Sequence, residues 1–137
     1  MRADVGRLVE VGERCLANAA LSAGLRIIHA PTSGVVMMQV REPVRKERFY
    51  LGEVVVTRCE VIINDMRGWA MVAGEDKRAA LAAAVCDAVS RSTTGEFAEL
   101  RSAVDALCIE TAERLRADES REWSALEPTR VAFEEFE

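Results

Sequence analysis

Histidine is almost absent from this chain of 137 residues: His29 is the only imidazole. The four cysteines, Cys15, Cys59, Cys86 and Cys108, lie far apart with no C-x-x-C pair, so no zinc or iron-sulfur ligand set can be assembled by spacing, and no metal is expected. Aromatic residues make up 5% and prolines number three. Half of the residues are hydrophobic, yet no run is long enough to cross a bilayer, and Met1-Arg2-Ala3-Asp4 has no apolar signal segment. A cytoplasmic protein without a membrane anchor is the expectation. Excess positive charge is missing as well. A net charge of -5 and a pI near 5.1 argue against a nucleic-acid or anionic-membrane footprint, which needs basic surface to displace counterions. Gly74 begins no phosphate loop, since both G-x-x-x-x-G-K-[ST] and G-x-G-x-x-G are absent. No activated serine or cysteine motif accompanies His29, which reads as a structural strand histidine.

What is present reads as one domain over 1–137, of α+β class. Val5, Leu8, Val11 and Cys15 recur at helical spacing after Asp4, a ready N-cap, and predict an N-terminal helix to about Ala20. Leu25 to Ala30 and Val35 to Arg41 are β-like runs around the turn-forming Pro31-Thr32-Ser33-Gly34, which predicts a first hairpin. Glu42 to Lys46, broken by Pro43, reads as a loop. Arg48 to Leu51 and Glu53 to Ile63 read as extended chain with a bend at Gly52, with Val55, Thr57, Cys59, Val61 and Ile63 on one buried face. Asn64 to Gly68 supplies a turn and Trp69 to Ala73 a return strand. The expected sheet is antiparallel, with about four to five strands. Trp69, Met71 and the face of Val36, Met38 and Val40 are assigned to its core.

A helix then opens at Gly74-Glu75-Asp76-Lys77 with a stripe of Leu81, Val85, Ala88 and Val89. A second follows from Glu96 with a face of Phe97, Leu100, Val104, Leu107, Thr111 and Leu115. Both are expected to pack on the sheet. Pro128 stops the last helix, and the chain leaves as a short extended tail. The cysteines, each among apolar neighbours, read as core packing.

Among chemistry-bearing residues, Glu47, Arg48, Glu53 and Arg58 are the most distinctive cluster. A guanidinium binds phosphate or phosphonate through a planar fork, so Arg48 and Arg58 are the anion-binding candidates. Pairing of each with a glutamate, Arg58 with Glu60 for instance, is the commoner use of such residues and is favoured here. Asp76 and Lys77, at a helix start, suit either an acid/base pair or a plain cap; the cap is favoured. Two charge patches stand out: Arg41, Arg45, Lys46 and Arg48 around Pro43, and Asp118 to Glu137 with seven acids against two arginines. Opposite patches of this kind orient a chain among partners.

The run Glu47-Arg48-Phe49-Tyr50, Gly52-Glu53 and Thr57-Arg58 resembles the E-R-F-[FY]-x-G-[DE]-x-x-x-T-R signature of the PhnG family, the G subunit of bacterial carbon-phosphorus lyase. Gly74-x-Asp76-Lys77 with Ala80, Ala84 and Asp87-Ala88 is similar to that family's G-x-D-K helix opening, and Thr129-Arg130-Val131-x-Phe133 to its closing [ST]-R-V-x-F segment. The landmarks fall in order from Leu25 to the C-terminus. Glu53 stands where aspartate is common, and the N-terminal helical region is short for the family.

The resemblance implies membership of an oligomeric complex with the H, I and J subunits, functionally with L, that displaces adenine from MgATP by a phosphonate to give ribose 1-methylphosphonate 5-triphosphate. The I subunit is the implied catalyst and MgATP the complex's substrate; this chain is expected to bind no cofactor of its own. Arg130, Val131 and Phe133, within a tail at 128–137, are candidate partner-docking residues. Two other readings stand beside this one: a non-enzymatic scaffold, and an independent phosphate-ester or nucleotide-processing enzyme in which Arg48, Arg58, Asp76 and Lys77 converge.

Overall fold

Asp4 starts the first helix as its position suggests. In the computed structural model, which describes residues 4–130, its carboxylate accepts from the amides of Gly6 (3.0 Å) and Arg7 (3.3 Å) at the start of α1, Val5–Ala17. The helix stops short of Ala20 because Asn18 interrupts it. Asn18 is extended (φ -74, ψ 119), and its side-chain oxygen accepts from Ala20 and Leu21 to begin a second short helix, α2, Ala19–Gly24. An asparagine that satisfies two orphan amides makes such a break cheap.

The expected first hairpin does not form. β1 runs unbroken over Leu25–Arg41, and the turn-forming residues produce irregularities instead, with register shifts between Ile27 and His29 and between His29 and Thr32. Pro31 is tolerated because β1 is an edge strand. The next two runs also join, as β2, Arg48–Ile63. Met38 pairs with Gly52 and Gln39 with Tyr50, so Leu51 is the extra residue of a bulge beside Gly52. Two pairs of expected strands have merged, and among the described residues the antiparallel sheet therefore has three strands, in the order β1-β2-β3, rather than four to five. Glu42 to Lys46 is the turn of the long hairpin: the Glu42 amide donates to the Glu47 carbonyl at 2.9 Å, and the Glu42 carboxylate accepts from the amides of Val44 and Arg45. Those amides hold the Glu42 carboxyl below the usual range, Arg45 first and Val44 second. Asn64 and Asp65, both at positive φ, make the two-residue turn into β3, Met66–Ala73.

From Thr57 onward β2 alternates as expected, with Thr57, Cys59, Val61 and Ile63 fully buried. Val55, next along that face, lies beyond the cover and is exposed. The cover is α3, Lys77–Ser90, which is buried nearly all round rather than along one stripe: eight of its residues are core, five of them alanine. It is pressed between α1 and the sheet. A Cβ added to Gly12 of α1 would come within 2.6 Å of the Ala82 Cβ, and one added to Gly68 of β3 within 2.0 Å of the Ala84 carbonyl oxygen. Small residues on both sides of α3 permit this approach.

A 3-10 turn at Gly95–Phe97 leads into α4, Ala98–Leu126, with Phe97, Val104, Leu107 and Thr111 buried as their spacing predicts. Its packing partners are α3 and α1, so only one of the two C-terminal helices rests on the sheet. Beyond Thr111 it is largely exposed, Trp123 and Leu126 included, until the 3-10 turn Glu127–Thr129 containing Pro128 ends it. Three cysteines are core, but Cys108 is exposed on α4, contrary to expectation. The Cys15–Cys86 hydrogen bond and then burial push the Cys86 thiol up, and burial does the same for Cys59, so these groups behave as small hydrophobes.

Candidate functional site

The sheet has two unlike faces. Side chains paired across strands share a face, so Thr57, Cys59 and Val61 of β2 with Gly68 and Ala70 of β3 meet α3, while Arg58 and Glu60 lie opposite with Trp69 and Met71. Among the described residues no helix packs on that second face, and Trp69 and Met71 are 49% and 41% exposed. Their expected place in the core is therefore corrected, and so is that of Val36 and Met38, exposed at 36% and 40%, and of the half-buried Val40. The sequence pattern is the same for a core face and for an open apolar face; only the helix count on each side separates them.

Past the Val56–Ala73 pair, β3 ends and β1 and β2 continue alone. The remaining seven residues of β1, Val35 to Arg41, form with Arg48 to Val55 a two-stranded arm that extends about 20 Å at the usual rise per residue. Both sides of the arm are apolar and exposed: Val36, Met38 and Phe49 on one, Val35, Met37 and Tyr50 on the other. At its end stand Arg41, Arg45, Lys46 and Arg48, all exposed.

The candidate residues do not converge. Arg48 and Arg58 sit ten positions apart on one strand, roughly 30 Å, with Arg48 at the arm's end and Arg58 on the open face of the body. The pairing of Arg58 with Glu60 expected from sequence does not form: Glu60 is held by Arg67 at 2.5 Å, and Arg58 makes no ion pair or side-chain hydrogen bond among the described residues. Glu47 and Glu53 are exposed along the arm, Glu53 opposite Met37. His29 faces Glu60 across the strands, and its Nδ1–H donates to the Ala30 carbonyl at 2.9 Å, a local structural role. Arg130 is exposed, while Val131 and Phe133 lie outside the described residues.

Asp76 caps α3, its carboxylate accepting from the Ala79 amide at 2.9 Å, with Lys77 exposed as the first helical residue. Asp76→Ala should therefore cost about 1 kcal/mol of stability in urea unfolding and leave any activity of an assembled complex within about twofold. A loss of activity at unchanged stability would restore the catalytic reading.

Two motif segments that lie apart in sequence do meet. Thr57, fully buried, donates its hydroxyl proton to the Gly74 carbonyl at 2.7 Å, so Ser33, 2.9 Å away, must donate to Thr57. The Gly74 amide completes the tie by donating to the Val55 carbonyl at 2.8 Å, with Gly74 at φ +92. Thr57 thus fixes the β3–α3 connection to both long strands. Asp87 was also missed as a structural residue: its carboxylate accepts from the Trp69 amide at 2.9 Å and pairs with Arg91. A helix-borne acid four residues before an arginine reads as a surface pair, which hides the strand contact.

Among the described residues no group of three or more His, Cys, Asp or Glu side chains could hold a metal ion. Two open concavities lie along the free end of α4, one lined by Leu115, Asp118, Glu119 and Arg121, away from Arg48, Arg58, Asp76 and Lys77. No helix of the described residues is long and apolar enough to cross a membrane. Comparison with curated proteins gives no match. The family described as phosphonate metabolism protein PhnG matches residues 2–136, essentially the whole chain, and the chain belongs to that family.

Proposed function

We propose that this chain is an accessory subunit of a cytoplasmic phosphonate-processing assembly, supplying contacts that let a catalytic partner displace adenine from MgATP with a phosphonate. The product would be ribose 1-methylphosphonate 5-triphosphate, the partners the H, I and J subunits with L acting alongside, and I the catalyst. The observation that carries the reading is the separation of the chemistry-bearing residues: two arginines roughly 30 Å apart and an aspartate occupied as a cap make no single active site. A large apolar surface left open to water is what a subunit carries. The chain would then act by ordering the catalyst's site and excluding water, so that phosphonate rather than water attacks the ribose carbon.

The test is reconstitution. With H, I, J and L present, MgATP plus methylphosphonate should yield adenine and the ribose phosphonate, and omitting this chain should cut the phosphonate product at least about tenfold, a transition-state effect of about 1.4 kcal/mol. Undiminished product without the chain would end the reading. Turnover by the purified chain alone would establish the stand-alone enzyme instead, and association without any effect on product would establish the scaffold.

A further inference from the structure

The open face of the sheet and the arm form one continuous surface. Apolar side chains run along it from Trp69 and Met71 on β3, across Val54 and Val56, to Met38 and Phe49 near the arm's end. The arm is exposed on its second side as well, and a two-stranded ribbon without a covered face is marginally stable in water. Both of its sides are open to a partner.

Charge indicates what. Leu25 to Ala73 holds seven cations against five carboxylates, whereas the rest of the chain holds eleven against eighteen. Of the five, Glu42 is engaged by turn amides and Glu60 by Arg67. Arg41, Arg45, Lys46, Arg48 and Arg58 have no ion-pair partner among the described residues, although the helices pair most of their arginines. The apolar surface therefore carries unspent positive charge on an acidic protein.

We infer that this surface seats a different protein subunit, one that grips the arm in an apolar groove and sets carboxylates against Arg58 and the basic tip. The inference deepens the subunit reading above and rests on it. A second copy is disfavoured, because a two-fold contact pairs the surface with itself, and its unpaired cations outnumber its unpaired carboxylates, so net like charge meets like charge. A bilayer is disfavoured too: apolar residues extend over the whole length of the sheet rather than the tip alone, and the net charge is -5.

The experiment uses the full chain, co-expressed and purified with the H, I and J subunits, with affinity measured against the complex lacking this chain. Met38→Asp places a charge at an exposed position, where folding is undisturbed, and should weaken association about 100-fold. Arg45→Glu with Lys46→Glu should weaken it about tenfold and flatten its dependence on salt. Trp123→Asp on α4 should stay within about twofold of wild type. Wild-type affinity in Met38→Asp, or unchanged or stronger binding on charge reversal, overturns the inference while leaving the subunit reading intact. It also falls if sedimentation of the chain alone shows a dimer that Met38→Asp dissolves. Capture by phosphatidylserine vesicles, lost in the same variants while subunit binding persists, overturns it as well. If wild type itself fails to join the subunits, the subunit reading falls and this one with it.

Discussion

Gly68→Ala is expected to lower the thermal midpoint by roughly 10 °C or more, through a loss of about 3 kcal/mol. The added Cβ would sit 2.0 Å from the Ala84 carbonyl oxygen and 2.7 Å from the Ala88 amide nitrogen, both backbone atoms of α3. Neither can swing aside as a side chain can. Relief would require α3 to lift from β3, which would drive it into α1 on its other side, where Gly12 already stands close against Ala82. The control is Gly52→Ala. Nothing lies within 4 Å of a Cβ there, so its midpoint should stay within about two degrees of wild type, even though Gly52 belongs to the family signature. Equal losses in both variants would mean that the helix–sheet contact is not what Gly68 serves.

The second large effect belongs to Thr57→Val, which keeps the shape and removes the hydroxyl. Thr57 is fully buried and engages both Ser33 and the Gly74 carbonyl, so valine leaves two half-buried polar groups without their partner at a cost of about 2 kcal/mol. Urea unfolding measures the loss, and hydrogen exchange locates it: the Gly74 amide, bonded to Val55, should exchange faster than amides in α4. Thr57→Ser should recover most of the stability. Wild-type stability in Thr57→Val would show that the hydroxyl is not needed to hold the β3–α3 connection.

The sequence was most legible where local chemistry and tertiary packing agree. Asp4 and Asp76 cap helices where their positions predict caps, Thr57 to Ile63 alternate as their pattern predicts, and the α4 stripe from Phe97 to Thr111 is the buried one. The misreadings share a physical cause. Pro31 to Gly34 has every local mark of a turn, but continued pairing with β2 holds the chain extended and leaves only register shifts. Met38 and Trp69 look like core because an apolar side chain facing a missing partner has the same pattern as one facing a helix. For the candidate site, the sequence found the residues without their distances. Ten positions on a strand is roughly 30 Å, whereas on a helix it would be about half that. Sequence pairs Arg58 with Glu60, its neighbour on the face, yet Arg67, arriving from β3, takes that carboxylate.

The arm also bears on the life of the chain before it meets a partner. A long edge strand with free amides and carbonyls, flanked by valines and methionines, is the kind of template on which identical chains stack, and newly made protein presents it as soon as the hairpin closes. Arg41 and Arg48, facing each other across the strands near its end, oppose stacking by repelling their own copies. The same cations that would attract an acidic partner thus act as a guard against self-association.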